Sequence, residues 1–168
     1  NPNEDNMNRY RISYITTTYG VEPYIEKFAE SFLGQTYSDI QFIFVNDGTK
    51  DASMEILNKL IEERFSHLKE RIVIINKENA GLPLARKSGL DAAEGEYILF
   101  ADADDWVELD TVERVMAMAD KTDADIIYFD LVKEYGNKRS IKHEREYTAE
   151  TRELWIENIF NYRSHGYT

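Results

Sequence analysis

Four short apolar runs separated by helical periodicities constrain this chain more than any other feature. Ile12 to Thr16, Ile40 to Val45, Ile72 to Ile75 and Tyr97 to Ala101 are rich in β-branched and aromatic residues and apolar at nearly every position. A strand with one wet face alternates; a strand apolar throughout must be covered on both faces, as in a parallel sheet. Between the runs, Ile25, Phe28, Ala29, Phe32 and Leu33 fall on one helical stripe, and Leu57, Leu60, Ile61, Phe65 and Leu68 on a second. Leu82 to Ala93 predicts a third helix, with Pro83 in its first turn, and Val112, Val115, Met116 and Ala119 stripe a fourth. All these stripes read as core. A fifth strand is expected over Asp125 to Val132, then a turn at Tyr135-Gly136-Asn137-Lys138 and a polar strand near Arg139 to His143, together a hairpin. Thr148 to Tyr162 predicts a last helix, with Trp155/Ile159 and Ile156/Phe160 at i, i+4. This order predicts an α/β fold, an open sheet wound by right-handed crossovers, whose ligands bind outside the carboxyl ends of the strands.

At 168 residues the chain fits one domain with a real core. Its 42% hydrophobic and 31% charged residues exclude a disordered or collagen-like class. A formal charge of -12 repels nucleic acid and anionic surfaces in general, so no nucleic-acid partner is expected. The absence of cysteine excludes disulfides, zinc-thiolate sites, iron-sulfur clusters and cysteine nucleophiles. No apolar run approaches the ~20 residues that cross a bilayer. Residues 1–8 are polar and read as a disordered leader.

Each of the first four strand ends is polar. The fourth carries Asp102, Asp104, Asp105, Glu108 and Asp110, with the first three directly after a buried strand. An Asp-x-Asp pair there suits a hard divalent ion that keeps sites open for diphosphate oxygens. The plainer alternative is a solvated acidic loop in which Asp104 or Asp105 caps the next helix. An EF-hand starting at Asp102 fails, because Trp106 and Val107 stand where an oxygen ligand and the turn glycine are required. An aspartyl-phosphate hydrolase is disfavoured by the Asp105-Trp106-Val107 continuation. No P-loop, dinucleotide-binding or serine-hydrolase motif occurs. At the second edge, Asp47 could accept a nucleobase N–H, or could form an Asx-turn before a helix capped by Thr49 or Asp51. Tyr19 could stack on a base or fill the sheet edge, and Arg86 could face phosphate or offset the acidic surface. His67, His143 and His165 are scattered and read as surface residues.

Taken in order, Ile15-Thr16-Thr17-Thr18-Tyr19, Gln35-Thr36-Tyr37-Ser38-Asp39, Phe44-Val45-Asn46-Asp47-Gly48-Thr49-Lys50-Asp51, Asn79-Ala80-Gly81-Leu82-Pro83-Leu84-Ala85-Arg86 and Glu94 to Asp105 closely resemble glycosyltransferase family 2. The resemblance runs from about Tyr10 to Asp130. It implies a GT-A fold, a Rossmann-like, mostly parallel sheet flanked by helices, over residues 9–168. It further implies an inverting transferase of nucleotide-sugars, with Thr17, Tyr19 and Asp47 holding the base, usually uracil, and Asp102 by the ribose. Asp104, with Asp102, would hold Mn²⁺ or Mg²⁺; Arg86 lies in the Ala-Arg block on the donor side. The pattern departs at Thr16-Thr17, where Pro-Thr is frequent, and at Gly20, Asn46 and Lys87.

In such a transferase a carboxylate deprotonates the acceptor hydroxyl for in-line attack at the anomeric carbon. The family's base is an Asp, often in a Glu-Asp pair after the acceptor-binding section. Glu134, Glu144, Glu146, Glu150, Glu153 and Glu157 form no such pair, and the closing Arg163 to Thr168 resembles the approach to the base segment. The catalytic base is therefore expected beyond Thr168. On this expectation the chain is a donor-binding part, truncated before the acceptor-side segment and inactive or weakly active alone. The resemblance also implies a saccharide or lipid-linked acceptor, bacterial surface polysaccharide synthesis, and a cytoplasmic location extending to the inner face of the membrane. Trp155 and Phe160 suggest self-association. A non-catalytic scaffold of the same fold is the alternative; a nucleotidyltransferase is disfavoured by the absence of a Gly-rich basic loop.

Overall fold

A computed structural model describes residues 9–135 and 138–142. The expected leader, the helix over Thr148 to Tyr162 with Trp155 and Phe160, His143, His165 and the turn positions Gly136 and Asn137 lie outside the described residues. So does the closing segment Arg163 to Thr168. The chain divides into two compact units between Met118 and Ala119.

In the first unit, β1 (Tyr10–Thr18), β2 (Ile40–Asn46), β3 (Ile72–Asn76) and β4 (Gly95–Asp102) form one parallel sheet in the order β3-β2-β1-β4. Helices α1 (Ile25–Leu33), α2 (Ser53–Arg64), α3 (Leu82–Asp91) and α4 (Thr111–Thr122) follow the expected stripes, α4 running across the unit boundary. Phe32 is the hub of one face of the sheet: its ring lies 4.2 Å from Tyr14, 5.0 Å from Phe28 and Phe44, and 5.5 Å from Phe42. On the other face Ile15, Ile43, Val45 and Ala85 are fully buried together. There α3 sits so close that a Cβ on Gly89 would lie 2.5 Å from the Ile15 Cγ2 atom.

At the amino end of the sheet a buried polar cluster joins three elements. Gln41 Oε1 accepts from the Ser13 hydroxyl and from the Glu94 N–H at 2.8 Å, while its Nε2 donates to the Ala92 carbonyl at 3.1 Å. The Ser13 oxygen in turn accepts the Gly95 N–H at 2.8 Å. Only Oε1 can accept from Glu94, so the amide has one possible orientation. The cluster fixes where β4 enters the sheet.

Three expectations are corrected. Burial on both faces holds for β2 and for most of β1; β3 is only half-buried and β4 alternates, because these two are the outer strands of the sheet. The second stripe is not one helix: α2 ends at Arg64, Phe65 caps it, and Leu68 belongs to a 3-10 turn over Ser66–Arg71 whose tighter winding breaks the 3.6-residue period. In the second unit the strand expected over Asp125 to Val132 is β5 (Leu131–Tyr135), paired antiparallel with β6 (Lys138–Lys142). Its first residue, Leu131, lies opposite Lys142. The hairpin itself is as expected.

Candidate functional site

Parallel register brings the carboxyl ends of the four strands into one row. Thr18 lies opposite Asn46 on β2, Asn46 opposite Asn76 on β3, and Thr17 opposite Asp102 on β4. The Asn46 side-chain amide donates to Asn76 Oδ1 at 2.9 Å, joining β2 and β3 at the rim.

Asp47, the first residue past β2, is almost fully buried. It forms no Asx-turn: its Oδ1 accepts from the Ala80 N–H and from Lys77 Nζ, each at 3.0 Å, and its Oδ2 accepts from the Gly81 N–H at 3.0 Å. The carboxylate thus bridges to the loop that leads into α3. Burial alone would raise its pKa, but the Ala80 N–H, the Lys77 ammonium and the Gly81 N–H together outweigh burial and hold it below the usual carboxylate range. Asp47 is therefore an anion at neutral pH. The approach requires Gly48, whose φ is +72° and where a Cβ would lie 2.8 Å from the Asn79 nitrogen.

The Asx-type bonds fall on the neighbours. Asn46 Oδ1 accepts from the Thr49 N–H at 2.9 Å, and Asp51 Oδ1 accepts from Ser53 N–H at 3.1 Å and from the Thr49 hydroxyl at 2.7 Å. Gly20, Val21 and Glu22 donate their N–H groups to Thr49, Ser53 and Asp51, so the loop after β1 is tied to the loop after β2. Burial raises the Asp51 carboxyl, yet the Ser53 and Thr49 hydroxyls with the Ser53 and Glu22 N–H groups bring it down to about 2. Tyr19 stands at the top of this lock with 56% of its surface exposed, so it does not fill the sheet edge.

Past β4 the chain turns, with Asp105 N–H donating to the Asp102 carbonyl. Ala103 is buried while Asp102, Asp104 and Asp105 are exposed around it. Helix α4 begins only at Thr111, so neither Asp104 nor Asp105 caps it. Arg86 of α3 donates to Asp102 Oδ1 at 2.8 Å, and its guanidinium lies 5.6 Å from the Phe100 ring centre. Partial burial, then the negative charges of Asp104 and Asp102, push the Asp105 carboxyl up. The turn therefore carries more negative charge than Arg86 offsets, and its hard oxygen donors fit a divalent cation. Among the described residues no three His, Asp or Glu side chains converge as a closed metal cage. His67 is exposed, as expected.

Of the residues singled out from sequence, Arg86 and Asp102 meet directly, Thr17 lies across the ladder from Asp102, and Asp104 follows two residues later. Lys77 carried no sequence signal beyond lying on a strand edge, since its partner Asp47 is 30 residues away; Thr49 and Asp51 stood out as capping candidates, but their bonds to the loop after β1, 29 residues away, did not. A loop lysine ordinarily reads as a solvated charge.

Residues 13–167 match the model of Glycosyl transferase family 2. The chain belongs to this family. A glycosyltransferase GlyA of Streptococcus pneumoniae is 42% identical over 116 residues, which cover 69% of the chain and 16% of that protein. The minor teichoic acid biosynthesis protein GgaB of Bacillus subtilis is 40% identical over 129 residues, covering 74% of the chain and 14% of GgaB. Among solved structures, residues 1–349 of S. aureus TarS in complex with UDP superpose with a TM-score of 0.60 at 28% identity, over 68% of this chain and 33% of that one. The same part of TarS has also been solved with UDP-GlcNAc. The family-2 chain thus spans a third or less of each of these proteins, and its sheet is of the GT-A type. Among its described residues no helix is long and apolar enough to cross a membrane.

Proposed function

We propose that this family-2 chain is the donor-binding part of an inverting glycosyltransferase that takes a UDP-sugar and acts in bacterial surface polysaccharide synthesis. The observation that carries the reading is the strand-end row: Thr17 opposite Asp102, Asp102 held by Arg86, and an anionic Asp47 on the same edge. The UDP complexes of TarS favour uridine, and the similarity to GgaB favours a surface polymer as destination. In this reading Asp47 accepts a base N–H, Tyr19 stacks on the base, Thr17 backs it, and Asp102 takes a ribose hydroxyl. Arg86 keeps Asp102 oriented and faces the donor.

The donor set of the acidic turn fits Mn²⁺ or Mg²⁺ held by Asp104, with Asp102 beside it and the remaining coordination left to the diphosphate. When bound, such an ion supplies charge stabilisation for the departing nucleoside diphosphate. The acceptor is a saccharide or lipid-linked saccharide. A cytoplasmic site of action accords with the cysteine-free composition.

Calorimetric titration of the chain with UDP, with and without Mn²⁺, tests this. Metal-enhanced UDP binding that is lost in Asp104→Ala and weaker for GDP and CDP is expected. Failure of all three nucleotides to bind, both to this chain and to the longer protein, would overturn the reading in favour of a scaffold.

A further inference from the structure

The Asp47 carboxylate and the Lys77 ammonium form a pair whose hydrogen-bonding capacity is not exhausted. Asp47 is 5% exposed and Lys77 21% exposed at their side chains, with Nζ 3.0 Å from Oδ1. A carboxylate offers about four acceptor positions. Oδ1 uses two, on Lys77 and Ala80, and Oδ2 uses one, on Gly81. An ammonium offers three N–H donors. Lys77 spends one on Asp47 and one on the Glu78 carbonyl at 3.1 Å. One acceptor position on Oδ2 and one donor on Nζ therefore remain at a sheet edge, on two groups that hold each other in place.

We propose that Lys77 is a specificity-determining residue for the nucleotide base, reading a ring carbonyl beside the N–H that Asp47 accepts. This rests on the reading of the Asp47 edge as the base site. The pair is complementary to an imide, C(=O)–N(H)–C(=O), as in uracil or thymine. There a carbonyl flanks the N–H on both sides, so the lysine finds an acceptor on whichever flank it stands. Cytosine presents a bare ring nitrogen where the carboxylate needs a donor, and adenine has no ring N–H on that edge. Lys77 thus adds to base selection what Asp47 alone lacks, because a carboxylate by itself accepts an amino group as readily as an imide N–H. Fixed donors and acceptors that a wrong base leaves unpaired are the strongest source of such discrimination.

The test is a titration of the chain with UDP, dTDP, CDP and ADP, in parallel with Lys77→Met and Lys77→Gln, at fixed Mn²⁺. UDP and dTDP should bind the parent chain more tightly than CDP and ADP. Lys77→Met should weaken UDP by about tenfold, the scale of one hydrogen bond to a charged group, and leave ADP within about twofold. Lys77→Gln, which keeps a neutral donor, should fall between. Circular dichroism and unfolding midpoints matched to the parent exclude loss of fold as the cause. Equal weakening of UDP and ADP would mean that the lysine acts on the diphosphate, and would overturn the proposal, as would an unchanged UDP preference in Lys77→Met. In both of those outcomes the parent chain still binds UDP, so the donor-site reading stands. If the parent and the longer protein bind no nucleotide, both readings fall together.

Discussion

Replacing Gln41 by Met tests whether the buried polar cluster sets the stability of the sheet. Gln41 is 2% exposed and Ser13 fully buried, so the hydroxyl that loses Oε1 has no water to turn to. Leaving that donor unsatisfied costs about 1–3 kcal/mol. The Glu94 N–H and the Ala92 carbonyl lie nearer solvent, and losing their partners costs about 0.5–1.5 kcal/mol each. Methionine fills nearly the same volume, and its extra apolar burial offsets about 1 kcal/mol. The net destabilisation is about 1–5 kcal/mol, or roughly 2–20 °C in midpoint for a chain of this size. Urea unfolding followed by circular dichroism measures it directly. Ser13→Ala in the same background removes the orphaned hydroxyl, so the double variant should be more stable than the sum of the two changes by about 1 kcal/mol. A Gln41→Met protein within about 0.5 kcal/mol of the parent, or strictly additive behaviour, would refute the reasoning.

Two further outcomes follow from the strand-end loops. The Asp51 carboxyl lies at about 2 when folded against 3.8 ordinarily, so its contribution is complete above about pH 4 and is lost as pH falls through 2. The depressed Asp47 acts with the same sign. Asp51→Asn should therefore flatten the fall of unfolding stability between pH 4 and 2 by about 1–2 kcal/mol after solvent screening, and an unaltered acid profile would count against the lock. Gly48→Ala places a Cβ 2.8 Å from the Asn79 nitrogen at a φ of +72° and should destabilise by about 2–3 kcal/mol. Chemical-shift changes at the Ala80 and Gly81 amides would report the loosened contact to Asp47, and their absence would show that the turn absorbs the methyl elsewhere.

Local periodicity sufficed for what depends on local chemistry. The stripes of α1, α3 and α4 and the apolar runs of β1 and β2 place the sheet and its polar rim, because burial pattern and element type are written in neighbouring residues. What escaped depended on sheet order. Nothing in Tyr97 to Ala101 says that β4 is an outer strand, so its alternation emerges only from the register with β1. The site divides the same way. Asp47, Asp102 and Asp104 stand out because carboxylates at strand ends are conspicuous, whereas Lys77 becomes visible only once β3 lies beside β2. Asp47 carries both lessons: its place at the edge was legible, and its partners in the next loop were not.

The order β3-β2-β1-β4 has a consequence for how the chain is made. Tyr10 pairs with Gly95, 85 positions later, after two other strands have already been laid on the opposite side of β1. As the chain leaves the ribosome amino end first, β1, β2 and β3 can assemble while the far edge of β1 has no partner. That edge presents unpaired backbone groups flanked by Ile12, Tyr14 and Ile15, the kind of surface that recruits foreign strands. Loop-closure entropy makes its closure by β4 a late step. Until about residue 102 has emerged, β4 is not there to cover that edge of β1, so the strand order itself delays the closure of the sheet.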